Sequence, residues 1–66
     1  MERYIVIRQA YGRARYLSIV RAAIVEREAW TENRNMAERF DLLSMAEYKA
    51  KQHGRAFVVS ALADLS

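Results

Sequence analysis

RYIVIRQAYGRARYLSIV, residues 3–20, is the stretch whose reading decides the fold. Residues 3–8, RYIVIR, are short and dominated by β-branched side chains, which predicts a strand. Residues 15–20, RYLSIV, predict a second strand, and residues 9–14, QAYGRA, hold Gly12 and predict the hairpin connection between them. Side chains alternate across a strand. The expected buried side of the hairpin is therefore Ile5, Ile7, Leu17 and Ile19, with Tyr4, Arg8, Tyr16 and Ser18 on the other side. Two strands do not make a stable unit in water, so the rest of the chain must supply more strands or a helical cover.

Outward from the hairpin, residues 21–30, RAAIVEREAW, carry both helical composition and strand alternation. They are read as a third strand or an extension of the second. Thr31 or Asn33 caps a short helical stretch that sets Met36, Ala37 and Phe40 on one face. Asp41 caps the helix DLLSMAEYKAKQHG, which ends at Gly54. Leu42, Met45, Ala46, Lys49 and Ala50 form its expected buried face, and Lys49 and Lys51 suit the negative end of its dipole. Residues 55–62, RAFVVSAL, are apolar on both faces and predict a last strand, either central in its sheet or covered along its outer side by a partner. The tail ADLS is read as loose. The order β-β-(β)-α-α-β predicts one α+β domain over residues 1–66: a small antiparallel sheet of three or four strands, with one or two helices packed on one face.

Length and composition narrow the chemistry. A domain of 66 residues buries only roughly 60% of the surface its unfolded chain exposes. There is no cysteine, so disulfides and thiolate metal sites are excluded. One histidine, His53, does not make a zinc site. No cofactor and no metal are expected. No apolar run approaches the ~18 residues of a membrane span, and MERYIVIRQ lacks the form of a signal peptide. The expectation is a soluble cytoplasmic protein that does not engage a membrane.

Candidate catalytic groups have simpler accounts. His53 suits a helix end, and Ser44, three residues after Asp41, suits a first-turn capping arrangement. Ser18 and Ser60 sit in no catalytic motif. A chain this short is also expected to lack a pocket of roughly 300 Å³. The sequence is read as that of a non-enzyme. Trp30 and Phe40 are read as core residues, and Met36 and Met45 as core filler.

Charge is unevenly placed. The net formal charge is +3, yet residues 1–25 alone hold five arginines against one acid. Tyr4, Arg8, Tyr11, Arg13, Arg15 and Tyr16 form the candidate binding surface. Tyrosine and arginine are enriched in protein interfaces, so the first expected partner is a protein. A second copy of the chain, meeting it along residues 55–62, is a further candidate. The alternative is a nucleic acid, with tyrosines stacking on bases and arginines neutralising phosphates.

The segment AWTENRNMAERFD, with YIVIR and RYLS before it and FVV after it, resembles a pattern found in small uncharacterised phage and prophage accessory proteins. Trp30, Thr31, Ala37, Phe40, Asp41, Ala46, Tyr48 and Gly54 carry the likeness across nearly the whole chain. The chain departs from the pattern by extra residues around RAAIVERE. The resemblance implies a viral or mobile-element origin and no activity. By analogy of size and origin with anti-CRISPR proteins, it implies action by binding a host or phage protein as an inhibitor.

Overall fold

The computed structural model describes residues 2–61; Leu62 and the tail ADLS lie outside them. The order is β1 (Tyr4–Ala10), β2 (Arg13–Arg21), β3 (Glu26–Thr31), a 3-10 turn (Arg34–Met36), α1 (Leu43–His53) and β4 (Ala56–Ser60). The strands form one antiparallel sheet in the order β3-β2-β1-β4. The α+β class is as expected. Residues 26–31 are a third strand, and the first of the two expected helices is only a 3-10 turn. Asn33 caps that turn, accepting from the Asn35 amide at 3.0 Å.

The hairpin pairs differently from expectation. Its connection is two residues, Tyr11 and Gly12, both at positive φ (54° and 76°), with Ala10 opposite Arg13. Two-residue loops of this kind match the natural twist of paired strands. This loop sets odd residues of β1 against even residues of β2, as in Ile7 opposite Tyr16. A change of register parity moves a strand's whole apolar set to the other face. Val6 and Leu17 therefore share one side, and Ile5 and Ile7 share the other with Tyr16. The expected grouping of Ile5, Ile7, Leu17 and Ile19 is corrected on this ground.

β1 is buried on both faces. On one side α1 lays Ala46 and Ala50 over Val6 and Leu17, with Tyr4, Trp30, Phe40 and Val58 around them. On the other side Ala37 covers Ile5 and Ile7. The chain must therefore cross from one face to the other between Ala37 and Phe40. It does so where β1 and β2 part: the Glu38 amide donates to the Leu17 carbonyl at 2.8 Å, and Phe40 and Tyr4 exchange backbone bonds at 2.8 and 2.9 Å. The crossing segment thus takes up backbone groups that the splayed strands would leave unpaired.

α1 begins at Leu43 with Leu42 at the cap and no side-chain hydrogen bond there. Asp41 does not cap; it pairs with Arg3 at 3.2 Å. The Ser44 capping arrangement is absent with it. The helix ends as expected, with Gly54 at φ 68° donating to the Ala50 carbonyl at 3.1 Å. Its inner face is Ala46 and Ala50, with Lys49 and His53 half-buried, whereas Leu42 and Met45 are exposed. Two alanines allow the helix to sit close against the sheet, which turns the larger side chains outward. Met36 is exposed as well, so neither methionine fills the core. Trp30 and Phe40 do pack on it. β4 is an edge strand, not a central one.

Candidate functional site

The six residues of the expected surface do not share a face. Tyr4 is half-buried in the core beneath α1. Tyr16 lies on the opposite side of the sheet, its ring 5.4 Å from the Arg34 guanidinium. Tyr11 is fully exposed at the hairpin tip. Arg8 and Arg15 are directly opposed on the side that α1 covers, and Arg13 reaches Glu32 at 3.3 Å. The parity of the hairpin separates Tyr16 from Tyr4 and Arg8.

Other residues join the arginines instead. The Arg8 guanidinium lies 4.5 Å from the centre of the Trp30 ring. The His53 ring meets Trp30 edge-on at 5.3 Å. Glu28 takes His53 Nε2 at 3.2 Å and Lys49 Nζ at 2.7 Å. This chain of contacts ties β1, β3 and the last turns of α1 together. Beside it, Arg8, Gln9, Ala10, His53, Gly54 and Arg55 line an open cavity of about 360 Å³. The expectation of no concavity of that size is corrected, because the turn between α1 and β4 stands off the end of β1. No hydroxyl or thiol lines this cavity, and among the described residues no group of His, Cys, Asp and Glu is placed to hold a metal. Arg55 and His53 reach this end only through the pairing of β4 with β1, which nothing near RQAYGRARY encodes.

The hydrogen bond from Lys49 holds the Glu28 carboxyl below its ordinary pKa of 4.5. A carboxylate whose folded pKa is lowered stabilises the fold above its unfolded pKa and loses that contribution as pH falls through the folded value. Glu28→Gln should therefore be less stable than the parent at pH 7. Urea denaturation at successively lower pH below 4.5 should bring the two together, as pH falls through the lowered folded value and the parent's carboxyl becomes protonated. A gap that stays constant across the acid series would show that the carboxylate charge is not what matters.

A second surface lies at the far end of the sheet. The β2–β3 connection turns through Ala22–Val25, closed by the Ala22 amide on the Val25 carbonyl at 3.0 Å. Val20, Ala22, Ala23, Ile24, Val25 and Arg27 surround an open concavity of about 500 Å³. Ile24 is 93% exposed. Below the tip Arg21 makes two bonds to Glu38, at 2.8 and 3.2 Å, and approaches Glu26 at 3.5 Å. The Glu38 bond raises the pKa of Arg21 further above its ordinary range. The tip thus has an apolar crown and a rim of both charges. Sequence reading treated these residues only as strand or helix, although AAIV, with no polar residue among its four, is the signal.

Among the described residues no helix is long and apolar enough to cross a membrane. Compared with family models, with curated proteins and with solved structures, the chain matches none.

Proposed function

We propose that the chain is a non-catalytic binding module that docks a protein through the apolar tip between β2 and β3. One observation carries this reading: Ile24 stands 93% exposed among Val20, Ala22, Ala23 and Val25. An apolar cluster rimmed by polar groups is the usual form of a docking surface. Ile24 in particular contributes almost no packing to the fold, which supports a role for it outside the fold. The rim of Arg21, Glu26, Arg27 and Glu38 carries both signs. It suits the polar border of a protein pocket better than an anionic bilayer, which selects cationic rims.

A nucleic acid is the second reading, supported by the opposite end of the sheet. Arg8 and Arg15 face each other directly, which is unfavourable for like charges. Arg15 and Arg55 have no acidic partner among the described residues, and Tyr11 stands exposed beside them. Phosphates would relieve that repulsion.

The test is affinity capture with and without nuclease, comparing the parent with Ile24→Asp and Arg15→Glu. The module reading expects a protein that the parent and Arg15→Glu retain and Ile24→Asp loses by about tenfold, the equivalent of 1.4 kcal/mol. Equal retention by Ile24→Asp would overturn it. Retention that nuclease or Arg15→Glu abolishes would favour the nucleic acid.

A further inference from the structure

The two edges of the sheet are unlike. The Ala22 amide donates to the Val25 carbonyl, so odd residues of β3 turn their backbone groups toward β2, and Glu26 and Glu28 turn theirs outward. That edge carries Glu26, Arg27 and Glu28, charges of the kind that discourage strand pairing. The Ala61 amide donates to the Arg3 carbonyl at 2.8 Å, so odd residues of β4 face β1. Ala56 and Val58 therefore direct their N–H and C=O groups away from the sheet. β4 is AFVVS, with no charge, no proline and no bulge in its register with β1. Phe57 is 46% exposed on it. Among the described residues, no charge, proline or bulge protects this edge.

We propose that β4 is the seam of a homodimer, in which two copies pair antiparallel about a two-fold axis at Phe57 and join their sheets. This goes beyond the protein-binding reading and uses a different surface. The outward groups restrict the pairing to even residues, and the exposed ring selects among the registers this allows: Ala56 of one copy hydrogen-bonds with Val58 of the other, and Phe57 stands directly opposite its own counterpart in the closely spaced, non-hydrogen-bonded pair. Aromatic cross-strand pairs are favourable, so the exposed ring gains a partner from the symmetry itself. A two-fold interface needs a patch that complements itself. Beside β4 a groove of about 370 Å³ is lined by Glu47, Ala50, Lys51, Phe57 and Val58. Glu47 and Lys51 sit one turn apart on α1. The axis that makes the strands antiparallel does the same to the two helices, and each rim then offers the opposite charge to its copy. The two-sided apolarity of the strand and the unprotected edge have one explanation in this arrangement.

Sedimentation across a range of concentrations tests it, with the full chain and three variants. The parent should dimerise. Phe57→Lys places like charges opposite each other at the axis and should weaken the dimer at least about tenfold. Val58→Pro removes an N–H that faces away from β1, so it spares the ladder inside the chain; it should be monomeric, with circular dichroism checking that the sheet survives the loss of the Val58 side chain from the core. Ile24→Asp should remain dimeric, which separates this seam from the β2–β3 tip. A parent that stays monomeric throughout, or a dimer that survives Phe57→Lys, would overturn the seam. So would a dimer that Ile24→Asp disrupts and Phe57→Lys does not.

Discussion

Leu17→Ala lowers stability by about 2–5 kcal/mol, the range for emptying a buried leucine site. Leu17 is fully buried on β2, held between Val6 on the neighbouring strand and Ala46 and Ala50 on the helix. The helix already presents its smallest side chains there, so nothing large is at hand to fill the space. Small domains hold roughly 0.05–0.15 kcal/mol per residue, so the loss removes a large share of the total. The melting midpoint should fall by about 8 °C or more, at about 4–8 °C per kcal/mol. Ile19→Ala should cost clearly less, because Ile19 is only half-buried. Thermal denaturation of both variants measures the difference. Equal losses at Leu17 and Ile19 would contradict the difference in burial between them.

Trp30→Ala costs about 2–3 kcal/mol, somewhat below the 3–5 kcal/mol of a fully buried aromatic, because Trp30 is half-buried. The ring does three things. It packs on the cluster of Val6, Leu17, Ala46 and Ala50, stacks under Arg8 at 4.5 Å, and meets the His53 edge at 5.3 Å. Trp30→Phe keeps an aromatic face and should recover a good part of the loss. A double-mutant cycle with Arg8→Ala isolates the stacking, expected at about 0.5–1 kcal/mol for a partly exposed cation over a ring. If the two substitutions add without coupling, Arg8 is free of the ring in solution and belongs with Arg15 as an open cation.

The partition of residues between strands, helix and turns was legible along the chain because each signal there is local. Gly54 ends α1 as expected, since a positive φ there suits glycine. β1, β2 and β4 follow from β-branched runs. The expected surface of Tyr4, Arg8 and Tyr16 failed at one point, the parity of the hairpin. Any even number of connecting residues, the six of QAYGRA or the two observed, sets even residues of β1 opposite odd residues of β2, as in Arg8 opposite Arg15. The expected grouping of Ile5 and Ile7 with Leu17 and Ile19 needed an odd number, and the observed parity sends Tyr16 to the other face. Asp41 carried the usual mark of a helix cap, and Arg3, remote in sequence, takes it instead. Of the proposed docking surfaces, AAIV was visible as an apolar tetrad, yet its exposure depended on the turn at Ala22–Val25 lying beyond both layers of cover.

By itself the sequence determined the class: strands where side chains alternate, a helix where alanine and charge repeat at helical spacing, and no thiol chemistry. Those are properties of neighbours along the chain. Only the tertiary structure decided which face of β1 meets the helix, where the chain crosses the sheet between β1 and β2, and that Arg55 and His53 join Arg8 at one end. It also made β4 an edge. These depend on register parity and on backbone groups finding partners tens of residues away. A chain obliged to satisfy every buried N–H and C=O settles such choices in three dimensions.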